Sequence, residues 1–117
     1  MDQSLESANQ NSRSATTSPC VGLAPENHRA PKLRLIFKNG NRCTIPYAYF
    51  LRTEYNSEGS LSLFTVEKEV VIQGRGLDLL EDWLYDNHVV WIKESHVVFD
   101  GSAEPIYVSG IEVKERQ

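Results

Sequence analysis

The residues able to do chemistry fall mostly in one stretch, 69–94, and they form no highly specific catalytic signature. Gly74, Arg75 and Gly76 stand at an expected strand-to-helix junction. Free amides at a helix start, together with a guanidinium, suit a small anionic or nucleotide-like ligand. The spacing is too short for a P-loop, and no Lys-Ser/Thr pair follows. A plain hinge competes with this reading, because Asp78 is placed to occupy the helix end or to pair with Arg75.

Asp78, Glu81, Asp82 and Asp86 share one helical face that no basic residue interrupts. Carboxylates spaced i,i+4 lie a turn apart and lack the loop-borne ring of oxygens that calcium takes. The face is therefore expected to be solvated, or to meet a basic surface on another protein or on a second copy of the chain. The second case is motivated by the unrelieved repulsion along the ridge.

His88 and His96 flank an apolar strand at even separation, but no second cysteine beyond Cys43 completes a zinc site in the body. Cys43 with a histidine would need a third, orienting group that the sequence does not show. Surface histidines and a core cysteine are expected, with no metal, no cofactor and no catalytic residue. Tyr47, Tyr49 and Tyr55 could make an aromatic strip for stacking, but at strand spacing they are expected to line the core or its rim.

A formal net charge of −4 over 117 residues argues against holding a phosphate backbone, so no nucleic acid is expected. Cys20 in a polar tail and Cys43 in a strand suit a reducing compartment better than a disulfide framework. No run approaches the ~18 apolar residues of a membrane span. The first residues lack the basic start and apolar middle of a secretory signal. A cytoplasmic protein without a membrane partner is expected.

The elements that position these residues are legible from periodicity. Residues 1–30 are polar, with Ser12, Ser14, Thr16, Thr17 and Ser18 as modification candidates, and are expected to be a disordered tail. A single domain is expected over 31–117. Leu33, Leu35 and Phe37 alternate with polar neighbours as a strand does. Asn39-Gly40 is a hairpin signal. An odd, three-residue loop including Asn41 sets Phe37 opposite Cys43 and Leu35 opposite Ile45, which keeps apolar residues on one face. Pro46 ends that strand or marks an edge.

Alternation resumes over 47–55, 61–66 and 69–73. Residues 77–87 then read as an amphipathic helix, with Leu77, Leu79, Leu80, Trp83 and Leu84 on an arc of roughly 160°. Asn87 suits a left-handed C-terminal position. Strands over 89–94 and 106–113 follow, with a short apolar piece at 97–99 between them. Short turns pair strands antiparallel. The expected fold is α+β: a curled antiparallel sheet of about six to eight strands, tending to a half-barrel, with the helix packed on it.

The run Val70-Val71-Ile72-Gln73-Gly74-Arg75-Gly76-Leu77, followed by Leu80, Leu84, Val89, Trp91, Ile92 and Glu94, resembles a group of small uncharacterised bacterial proteins. Their pattern is strand, Gly-Arg-x-Leu, short helix, strand, after an early hairpin similar to Ile36–Pro46. The resemblance spans most of residues 32–95. It implies a bacterial origin and a shared fold, and no activity. The expected function is a non-catalytic protein-interaction module. The alternative is a binder of a small anionic ligand at the glycine hinge.

Overall fold

The computed structural model describes residues 19–96 and 105–115. The Ser12–Ser18 candidates and the apolar piece at 97–99 lie outside the described residues. Strand β2 (Lys32–Ile36) buries Leu33 and Leu35 completely and exposes Lys32 and Arg34, as its alternation requires. It pairs antiparallel with β3 (Arg42–Pro46), setting Leu35 opposite Cys43 and Leu33 opposite Ile45.

The hairpin loop is odd-numbered, but it is Lys38-Asn39-Gly40, and Phe37 faces Asn41 rather than Cys43. The reason is local. The Gly40 amide donates to the Phe37 carbonyl, and the third loop position takes φ of 91°, which glycine accepts and Asn41 would accept less readily. Moving the loop by one residue preserves parity, so the buried face is the expected one.

Pro46 ends β3 on the sheet edge, where its missing amide costs no ladder bond. The tyrosine alternation that follows does not start as a strand. Tyr47–Tyr49 wind into a 3-10 turn, and only then does β4 (Phe50–Asn56) begin. That turn carries the chain into a second sheet. β4, β5 (Ser60–Thr65), β6 (Lys68–Arg75) and β8 (Tyr107–Glu115) form an antiparallel sheet in the order β4-β5-β6-β8. Thr65 closes the turn between β5 and β6, its Oγ1 accepting from the Lys68 amide at 2.9 Å.

The eight strands among the described residues thus divide into two four-stranded sheets rather than curling as one. The first sheet has the order β1 (Val21–Leu23), β7 (Val89–Lys93), β2, β3. β7 (Val89–Lys93) lies parallel to β2 there, an exception to the antiparallel expectation, because the second sheet and the helix intervene between them in the chain.

Helix α1 (Leu77–Tyr85) is shorter than expected by two residues. Asp86 closes it and Asn87 takes the left-handed conformation, with φ of 55°. Leu77, Leu80 and Leu84 are buried, Leu79 and Trp83 half-buried, and the helix lies against β4 and β5. No helix among the described residues is long and apolar enough to cross a membrane.

The tail boundary at residue 30 needs correction. Strand β1 (Val21–Leu23) pairs antiparallel with β7, and Cys20 and Val21 are only 4% and 1% exposed. The Ala24 and Ala30 amides donate to the His88 and Asn87 carbonyls, both at 2.8 Å. A polar composition averaged over thirty residues hid a five-residue apolar run, Cys20–Ala24, which is enough for a short edge strand.

The two sheets are clasped at Glu94. Its Oε1 accepts from the Lys38 amide and its Oε2 from the Ile111 amide, each at 2.7 Å.

Removing residues 1–30 should destabilise the domain by at least ~2 kcal/mol relative to removing 1–18, since Val21 leaves the core and the β7 edge opens. Equal melting temperatures for the two truncations would show that β1 adds nothing. Leu84→Ala should cost about 2–5 kcal/mol in denaturant unfolding, the range for a large buried aliphatic. A cost under ~0.5 kcal/mol would mean that α1 does not cover the second sheet.

Candidate functional site

The glycine hinge is built by a close approach of backbones. A β-carbon at Gly74 would strike the Tyr107 carbonyl, and one at Gly76 would strike the Pro105 carbonyl. Gly76 also caps α1 with φ of 73°, a left-handed value. These glycines are therefore required by the chain leading into β8. The Gly74 amide already donates to the Gly59 carbonyl at 3.2 Å.

The Tyr107 and Pro105 carbonyls thus press against the two glycines. A surface cavity of about 560 Å³ lies beside the hinge, and among the described residues the one charged side chain lining that cavity is Glu58. Arg75 is exposed and does not line the cavity. Of the three hinge residues, Gly74 alone is in its lining.

The four acidic residues separate into two roles. Glu81 is half-buried and accepts from the Thr53 hydroxyl at 3.1 Å, which ties α1 to β4. Asp78, Asp82 and Asp86 are exposed and form no ion pair among the described residues. Tyr85, between Asp82 and Asp86 in the chain, is 88% exposed.

Among the described residues no group of three His, Cys, Asp or Glu side chains could hold a metal ion. His88 Nδ1 lies 3.3 Å from the His28 carbonyl, and His96 is exposed. Cys43 sits two strands from β7, in the row of Leu35 and Ile92 rather than of His88. The three tyrosines also part company. Tyr47 is buried, stacks on Phe50 at 5.1 Å and donates its hydroxyl to the Val89 carbonyl at 2.6 Å. Tyr49 and Tyr55 are 45% and 42% exposed.

One surface escaped the sequence argument. Across the outer face of the first sheet, Gly22, Trp91, Arg34 and Thr44 form one register row. The Trp91 indole occupies the space a β-carbon at Gly22 would need. A groove of about 500 Å³ runs there, lined by the apolar Ala30, Pro31, Val90 and Trp91 and by the cationic Arg29, Lys32 and Arg34. None of these three cations makes an ion pair among the described residues.

The signal for the groove was charge distribution rather than net charge. Residues 19–46 hold Arg29, Lys32, Arg34, Lys38 and Arg42 against Glu26 alone. Residues 50–86 hold Arg52, Lys68 and Arg75 against eight carboxylates.

No protein-family model matches the chain, and no curated protein or solved structure matches it either.

Tyr47 ties the turn between the sheets to β7, and burial holds its phenol well above the ordinary 10.0. The fold favours the protonated phenol, so the unfolded chain ionises first as pH rises. This contribution to stability is complete below about pH 10 and is lost above it. Tyr47→Phe should flatten the alkaline loss of stability, at a cost near neutrality of about 0.5–1.5 kcal/mol for the missing hydrogen bond. Denaturant unfolding at roughly pH 8 and pH 11 tests this, and parallel losses in both proteins would remove Tyr47 as the cause.

Proposed function

We propose that this chain is a small, non-catalytic interaction module of the bacterial cytoplasm, and that it meets its partner through the helix ridge of Asp78, Asp82 and Asp86 with Tyr85 among them. The observation that supports this most directly is Tyr85, 88% exposed on a ridge of carboxylates that make no ion pair among the described residues. Neither feature helps the isolated fold. Like charges a turn apart cost roughly 0.2–0.5 kcal/mol per pair, and an exposed aromatic forgoes its burial. Both features favour association, because an aromatic anchor beside charges gives affinity and specificity together. Backbone packing already explains Gly74 and Gly76, which weighs against the alternative of a small anionic ligand there.

The test changes Asp82 and Asp86 together to Lys. Melting temperature should stay the same or rise slightly, because repulsion is relieved. Association through the ridge, measured as salt-sensitive binding to a basic protein surface or to itself, should be lost. Unchanged association would make the ridge a solvated face, and a collapsed fold would place those carboxylates in the domain's own structure.

A further inference from the structure

We infer that the groove at Trp91 receives Tyr85 and its flanking carboxylates from a second copy of the chain, giving a two-fold symmetric dimer. The inference rests on the ridge being a contact surface, and it names the partner. The two surfaces are complementary in kind. One presents an exposed aromatic flanked by Asp82 and Asp86. The other is a groove with an apolar lining and three cations, Arg29, Lys32 and Arg34, that lack ion pairs among the described residues.

Their placement on one molecule decides the symmetry. A second cavity of about 390 Å³ is lined by His28, Arg29, Trp83 and Asp86, and His28 and Arg29 also line the Trp91 groove. The end of the ridge and the groove therefore share a border. A two-fold axis near that border brings each ridge onto the other copy's groove, so the contact is made twice and closes. Surfaces on opposite sides of the molecule would instead have built an open chain.

The same border disfavours a long polyanion in the groove. A strand of phosphates leaving past Arg29 would run against Asp86, on a chain whose net charge is already −4. In the dimer each Asp86 meets the other copy's cations instead.

The experiment uses the full chain and two variants, Arg34→Glu and Asp82→Lys. Both residues are exposed, so melting temperatures of the monomers, measured in dilute protein at roughly 1 M salt, should hold. The wild type should sediment as a dimer at micromolar concentration in roughly 0.1 M salt. It should dissociate toward 1 M, where the screening length shrinks from about 10 Å to 3 Å. Each variant alone should lose at least about tenfold in self-affinity, because both contacts of its dimer are broken. Mixing the two variants should restore the dimer, since every contact in the mixed species then pairs opposite charges. Tyr85→Ser should weaken the dimer at both salt concentrations.

A wild type that stays monomeric in low salt, or a mixture that fails to recover, overturns the dimer. Continued binding of a basic protein surface, lost on changing Asp82 and Asp86 to Lys, would then preserve the ridge as a contact while removing the second copy. Arg34-dependent binding of a labelled single-stranded oligonucleotide by a monomer would also overturn the proposal and assign the groove to a polyanion.

Discussion

The carboxylate of Glu94 is the point on which the two-sheet arrangement turns. It accepts one backbone amide from the hairpin of the first sheet and another from the middle of β8 in the second. Hydrogen bonds to a charged acceptor contribute about 1.5–3 kcal/mol each. The backbone at the same place repeats the division. The Glu94 amide donates to the Ile36 carbonyl and the Ser95 amide to the Val108 carbonyl, both at 2.9 Å. One residue faces each sheet. The crossing from one to the other is thereby satisfied without burying an orphan polar group.

Tyr47 does the corresponding work at the other crossing. The 3-10 turn that follows Pro46 drops its ring into the core, and the hydroxyl finds a carbonyl on β7. With both crossings held, side chains from the two sheets and α1 merge into one apolar cluster that includes Leu33, Leu35, Leu63, Ile72, Leu80 and Ile92. The outer face of the first sheet is left free to carry charge, and it carries mostly one sign. The opposite sign accumulates along α1. A chain with a modest net charge thus has two strongly charged faces, and local field rather than net charge governs what approaches each of them.

Much of the fold was legible along the chain because alternation and helical periodicity report burial directly. The buried Leu33 and Leu35, the odd hairpin loop, the buried Leu77, Leu80 and Leu84 and the left-handed Asn87 all follow from spacing and local backbone preference. The acidic ridge was legible too, since helical spacing alone puts Asp78, Asp82 and Asp86 on one line. The division into two sheets was not. Alternation across Tyr47–Tyr55 looks the same whether the strand continues or a turn intervenes.

From residue 31 onward the amino-acid sequence alone determined most of the residues that would be inside, since burial of each strand and helix face is a property of its own period. It did not determine which strands would be neighbours. That β1 from the polar end would cover the edge of β7, and that β7 would lie parallel beside β2, depend on contacts between residues 57 to 71 positions apart. Only those pairings set Arg34 beside Trp91 over Gly22, with Arg29 close to Asp86. Nearest-neighbour chemistry carries no information about such distant juxtapositions. The groove, unlike the ridge it borders, exists only in the folded chain.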